Sequence, residues 1–345
     1  MVSAALAVAF VAGWIALDLG GNRTTLWVDD LATPAAAALA CVACVRAAMR
    51  HDGRMRGFWA LFGCATAFWA FAEVVWGVYA LVLDRAVPAP SWADAGYLLA
   101  IPFSMAALLV HPATIGHRAR TVRSLLDGLV IATAMLFISW TLVLGGLWRQ
   151  TDLSTSAGLV AIAYPFGDVL ICVLVVMTLR AMSGVDRGSL WMLLAALFAM
   201  ALSDSVYTYL SDAGSYASGV PHLIDAGWVA AYLGIAVAAA GSRVGAVRAL
   251  TPVRRGPSAV SLVAPLVPVL VALVVATVAL KLGHRFDRPA WGMAVGLVGI
   301  VLVRQGLFVV ELVGSRAAAG RSLLDRLVDA VIDAPHDGLT GSVER

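Results

Sequence analysis

The sequence predicts an all-α, polytopic integral membrane protein: a helical bundle of about 10 TM helices with a parallel four-helix internal repeat. Three observations carry this expectation. Hydrophobic residues make up 61% of the chain and charged residues 13%, with a mean hydropathy of +0.89. Soluble domains are roughly 45–50% apolar and about 25% charged. The apolar runs reach the roughly 20 residues a span needs, and they lack the period-2 alternation of an outer-membrane barrel. Finally, an acidic-aromatic stretch occurs twice. Pro90-Ser91-Trp92-Ala93-Asp94-Ala95-Gly96-Tyr97 returns 131 residues later (94 to 225) as Pro221-His222-Leu223-Ile224-Asp225-Ala226-Gly227-Trp228.

Ten segments qualify as spans, at about 2–19, 31–49, 57–83, 91–110, 124–146, 157–179, 189–210, 223–241, 259–281 and 289–314. The first has no basic leader and no clean cleavage site, so it reads as a retained span and not a signal peptide. Cysteines 41, 44, 64 and 172 all lie inside apolar runs and read as small buried side chains. Lys and Arg set the orientation. One set of loops, with the tail, holds Arg46, Arg50, Arg54, Arg56, Arg118, Arg120, Arg123, Arg180, Arg187, Arg243, Arg248, Arg254, Arg255, Arg316, Arg321, Arg326 and Arg345. The other set holds Arg23, Arg85, Arg149, Lys281, Arg285 and Arg288, and Arg304 lies within a span. The richer set belongs inside, so both termini are expected in the cytoplasm of a plasma (inner) membrane protein.

The same offset joins Glu73 to Asp204, Trp76 to Tyr207, Arg56-Gly57 to Arg187-Gly188, and Arg123 to Arg254. Segments 3–6 therefore correspond to segments 7–10, as units of about 57–187 and 188–315 within a membrane domain of 1–315. Segments 1–2 look like a partial copy of 5–6, because Pro34 aligns with Pro165. An even number of spans per copy makes the repeat parallel. Beyond it, residues 316–334 form a cytoplasmic connector, with Leu323, Leu324, Leu327, Val328 and Val331 on one stripe of a helix ended by Pro335. The stripe suits either a tail lying on the bilayer or a homodimer through the 317–333 helix.

An acid at a span centre costs roughly 2.5–3.5 kcal/mol on insertion scales, so such residues are paired or functional. The candidate ligand-binding residues are Glu73, Trp76, Asp94, Tyr97, Tyr164, Asp168, Asp204, Tyr207, Asp225 and Trp228. All five acids fall toward the outer side, together with Tyr79, Trp92 and Tyr209. An outward acidic-aromatic cavity would suit an unknown small cationic or amine ligand, through charge pairing and cation–π contact. Three structural alternatives stand beside it. Asp94 and Asp225 could simply start their helices, where a carboxylate favours the dipole. The aromatics could form the interfacial belt. Glu73 and Asp204 could be protonated and hydrogen-bonded between helices. Asp127 reads as a helix-start acid, and Arg304 and Glu311 receive no role. The scattered histidines give no metal spacing. No cofactor, metal or nucleic-acid partner is expected beyond the lipid bilayer itself.

Ala163-Tyr164-Pro165-Phe166-Gly167-Asp168 and the two acidic-aromatic stretches resemble the multi-span N-terminal sensory regions of actinobacterial membrane-bound cyclic-di-GMP enzymes. In that family the membrane region leads through a short helix into a GGDEF diguanylate cyclase domain, often followed by an EAL phosphodiesterase domain. The tail at 335–345, with His336-Asp337-Gly338-Leu339-Thr340-Gly341, resembles the GGDEF entry motif. It departs at Ser342-Val343-Glu344-Arg345, where the family pattern continues Leu-Pro-Asn-Arg, and the GGDEF loop is absent. The resemblance therefore implies a sensory or signal-input module and carries over no catalytic activity. The competing expectation is a proton- or cation-coupled transporter, for which matched buried acids would also serve.

Overall fold

The computed structural model describes residues 2–112, 121–150, 155–181, 187–212, 216, 222–242 and 266–332. Within them every regular element is a helix, and ten are present. They are α1 (Val2–Leu17), α2 (Asn22–Arg50), α3 (Gly53–Gly77), α4 (Trp92–Val110), α5 (Thr121–Ser139), α6 (Ser156–Ala181), α7 (Arg187–Asp212), α8 (Asp225–Gly241), α9 (Val267–Lys281) and α10 (Arg288–Ile332). A wider π-helical turn, Val78–Val82, prolongs α3, and another, Trp140–Leu144, carries α5 into a last stretch at Gly145–Gln150. Seven helices are long and apolar enough to cross a membrane; Val2–Leu17, Asp225–Gly241 and Val267–Lys281 are apolar but shorter. The chain is thus a helical membrane bundle.

One boundary departs from the sequence expectation in a way that matters. The second span was placed at 31–49, but α2 begins at Asn22 and runs through Asp29 and Asp30. A polar first third is tolerated because both acids turn toward protein. Asp29 is buried and Asp30 half-buried, while Trp27 and Leu31 are exposed.

The chain divides at Leu297. In the first unit, Met1–Leu297, α2 packs on α3, α3 on α4, α4 on α6, α6 on α7, α7 on α8, and α8 back on α2. Six helices thereby close a ring. Helix α1 packs on α2 and α8, and α5 on α6 and α9. In hydrocarbon there is no hydrophobic drive between helices, so close approach of small residues does the packing. Ala36, Ala37, Ala40, Cys44, Ala47 and Ala48 form such a buried face on α2.

Helix directions follow from the contacts. Asp29 near the start of α2 faces Asp225 at the start of α8, and Arg50 Nη2 at the end of α2 donates to Ala239 O at the end of α8. Tyr164 in the first half of α6 meets Asp94 in the first turn of α4. Trp76 near the end of α3 meets Tyr207 near the end of α7. Helices α3 and α7 therefore run one way, and α2, α4, α6 and α8 the other. The second unit, Val298–Arg345, is over its described residues the continuation of α10.

Candidate functional site

At one end of the ring lie the starts of α2, α4, α6 and α8 and the ends of α3 and α7. All ten sequence-nominated residues are there, and they are joined by direct contacts.

Each helical hairpin builds its part in the same way. Ser91 caps α4 and Asp94 completes a capping box, accepting from the Ser91 backbone N–H at 2.6 Å. At the equivalent position, Asp225 accepts from the His222 backbone N–H at 2.9 Å. The helix-start reading of these two acids is therefore right about one oxygen. The other oxygen takes a phenol: Tyr164 donates to Asp94 Oδ1, and Tyr216 donates to Asp225 Oδ1 at 3.2 Å.

The deeper acids are matched too. Trp228 Nε1 on α8 donates to Asp204 Oδ1 on α7 at 2.7 Å. In the first hairpin, Tyr97 on α4, the equivalent of Trp228, turns its hydroxyl to Glu73 on α3. Glu73, only 8% exposed, also accepts from Tyr232 of α8 at 2.7 Å, and Tyr232 is 1% exposed. That last bond crosses from one hairpin to the other. Asp168 of α6 faces Asp204, carboxyl to carboxyl. A hydrogen bond between two carboxyl groups requires a proton on one of them.

Aromatic rings fill the space between. Tyr207 lies 6.1 Å from Trp76, 5.9 Å from Trp228 and 4.7 Å from Tyr216, centroid to centroid. Tyr97 and Tyr164 are 6.1 Å apart. These are edge-on arrangements, which place a ring edge against a neighbouring face. Trp92 and Tyr209 are exposed and stand outside the cluster, where the interfacial-belt reading fits them.

Close backbone approach sets this geometry. A Cβ on Gly96 would sit 2.9 Å from Ala72 Cβ and 2.9 Å from the Phe68 carbonyl oxygen of α3. Gly227, its equivalent, faces Ser203 of α7 just as tightly. Glycine at both places lets the second helix of each hairpin press on the first, bringing the aromatic of one to the acid of the other.

Sequence reasoning missed four participants. Asp29 and Asp30 were placed outside the second span. Asp29 faces Asp225, and Asp30 lies within electrostatic range of Asp225 and Glu73. Tyr216 sat in an unassigned loop. Tyr232 lay within the eighth span but was not among the nominated residues. A signal was present for the first two: adjacent acids a few residues before a long apolar run are unusual enough to ask whether the helix starts earlier.

Among the described residues no group of acids, cysteines and histidines has metal-binding geometry, and the four cysteines are free. A cavity of about 1220 Å3 lies at the opposite ends of the helices, among α1, α2, α7 and α8, lined by Leu39, Val42, Arg46, Met49, Met192 and Leu233. It contains none of the acids.

A second polar contact ties the start of α10 to the extension of α5. Asp287 precedes α10 and accepts from the Ala290 N–H at 3.0 Å, from Trp140 Nε1 at 3.0 Å and from Arg149 Nη1 at 2.7 Å. Desolvation works to raise the Asp287 carboxyl, but these donors outweigh it and hold it below the usual aspartate range. The contact places the loops bearing Arg149 and Arg285 on one side. Arg118, Arg120, Arg243, Arg248, Arg254, Arg255 and the GGDEF-like tail lie outside the described residues.

No family model, curated protein or solved structure matches the chain. The class that fold and site define is a helical membrane protein with a buried acidic-aromatic cluster at one end.

Proposed function

We propose that this protein is a membrane-embedded sensory or signal-input module, of the kind that feeds cyclic-di-GMP signalling, and that its stimulus acts on the acidic-aromatic cluster. The observation that carries the reading is α10, one unbroken helix of 45 residues from Arg288 to Ile332. At 1.5 Å per residue it is about 67 Å long, more than twice the roughly 30 Å hydrocarbon core. A helix of that length supports a connection between a span and a segment outside the bilayer, which is what transmission to a cytoplasmic output needs. A ligand shifts such a module only by its different affinity for two states.

The matched hydrogen bonds at Asp94 and Asp225, the matched acid–aromatic pairs and the common helix directions support an ancestral duplication with a pseudo-twofold axis through the ring. In this arrangement α2, α3 and α4 correspond to α6, α7 and α8. Among the described residues, Arg46, Arg50, Arg54, Arg56 and Arg187 lie at the helix ends opposite the acids, which supports cytoplasmic termini and a cluster facing outward.

The test is cross-linking in membranes. Single cysteines along 317–333, in a background without the native four, report dimer contacts of the connector. Neutralising Glu73, Asp168 and Asp204 together should change that pattern. An unchanged pattern defeats the sensor reading. One observation favours a transporter as the second reading: Asp168 and Asp204 are buried acids that face each other, the kind of group that carries protons or cations in transporters. Proton-coupled flux into proteoliposomes that Glu73→Gln abolishes would establish it.

A further inference from the structure

The cavity at the end opposite the acids combines apolar walls with charge of one sign. Its volume is about 1220 Å3, among α1, α2, α7 and α8. Leu39, Val42, Met49, Met192, Leu233 and Val237 line it, and among the described residues no carboxylate does. The polar side chains at it are Ser3, Ser189, Arg46 and Arg50. Along α8 it reaches from Gly241 back to Leu233, about 12 Å into the span.

Small residues keep this space open. Ala4 and Ala7 of α1 and Ala43 of α2 border it, and a Cβ on Gly188 of α7 would meet nothing within 4 Å. Walls that face a void lose the dispersion contacts a filler would give them. In a bilayer the filler at hand is lipid.

The two arginines select among lipids. Arg46 and Arg50 stand one turn apart on α2, so their side chains emerge on one face. Both are exposed. Arg50 Nη2 donates to Ala239 O at 3.3 Å and Nε to Arg46 O at 3.3 Å. That uses two of its five N–H groups and leaves three. The Arg46 side chain makes no hydrogen bond or ion pair among the described residues. Guanidinium forks pair with phosphate oxygens in a bidentate way. A zwitterionic headgroup would bring its ammonium beside the same two cations, and an anionic one brings none.

We propose that this cavity binds an anionic phospholipid of the leaflet at that end, its phosphate on Arg46 and Arg50 and an acyl chain among α1, α2, α7 and α8. The site is separate from the acidic-aromatic cluster and does not depend on that cluster taking the stimulus.

The experiment titrates the full chain in maltoside micelles with phosphatidylglycerol or with phosphatidylcholine of the same chains, followed by native mass spectrometry. A saturable phosphatidylglycerol adduct is expected, roughly tenfold tighter than phosphatidylcholine or more, since each basic side chain near a membrane surface contributes about fivefold. Arg46→Gln with Arg50→Gln removes the preference. Arg46→Gln alone, which breaks no contact within the fold, loses about fivefold and makes the test if the double variant does not fold. Ala7→Phe fills the cavity, keeps both arginines and blocks the adduct. Glycerol 3-phosphate does not compete; if it does, the ligand is a free phosphate ester and the lipid assignment falls. Equal binding of the two lipids overturns the proposal, as does an adduct that survives both Arg46→Gln and Ala7→Phe. Arg23→Gln, at the other end of α2, leaves the adduct unchanged. A loss there as large as in Arg46→Gln would mean attraction to surface charge at large, and would also overturn the site.

Discussion

Replacing Tyr232 by Phe removes one hydroxyl from a side chain that is 1% exposed and donates at 2.7 Å to Glu73 Oε1. No volume is lost, so no cavity term enters. What is lost is a hydrogen bond to a carboxyl group, worth roughly 1.5–3 kcal/mol in a soluble protein. Interhelical bonds within membranes average nearer about 0.6 kcal/mol, because the unfolded helices find other partners. Glu73 retains Tyr97 as a facing group, which softens the loss further. The expected cost is about 1 kcal/mol, or roughly a fivefold change in the folding equilibrium. The assay is reversible SDS unfolding in mixed micelles, run as a double-mutant cycle with Glu73→Gln. Coupling of about 0.5–1.5 kcal/mol between the two positions is expected. Additive losses, with coupling below about 0.3 kcal/mol, would refute the claim that the hairpins are joined through this bond.

Three further predictions follow from the same geometry. Gly96→Ala should cost more than Gly227→Ala, by about 1 kcal/mol or more, since the new methyl meets the Phe68 carbonyl in one case and a rotatable Ser203 hydroxyl in the other; SDS unfolding of both variants decides. Asp287→Ala should cost about 1 kcal/mol and Asp287→Asn much less, because an amide oxygen still caps α10, whereas the Arg149 pair, exposed on one side, adds little. The depressed Asp287 carboxyl stabilises the fold above the ordinary aspartate range near 4, and that contribution is lost as pH falls through its lower folded value. Unfolding followed from pH 6 down to pH 3 should therefore show an acid loss that is smaller in Asp287→Asn.

Much of this architecture was legible because oil punishes polarity. Long apolar runs could only be helices, and acids that survive inside them had to meet partners. That logic found Glu73, Asp94, Asp168, Asp204 and Asp225 and their aromatic neighbours. The 131-residue echo placed Tyr97 and Trp228 at equivalent sites, where both turn to an acid on the preceding helix. Partner identity was less accessible. Nothing in spacing says that Glu73 reaches Tyr232, because that bond depends on how one hairpin docks against the other. Asp29 and Asp30 were lost for a different reason: hydropathy marks where a helix meets lipid, not where it starts. A polar stretch that faces the ring interior looks like a loop to a hydropathy rule.

The account depends on the acids of neighbouring helices meeting within one ring, and engineered disulfides measure that directly. With Cys41, Cys44, Cys64 and Cys172 replaced by Ala, the pairs Asp29→Cys with Asp225→Cys and Asp168→Cys with Asp204→Cys should each cross-link on mild oxidation in membranes. The exchanged pair, Asp29→Cys with Asp168→Cys, should not. Cross-linking of the exchanged pair, or of neither native pair, would contradict the ring and the site within it.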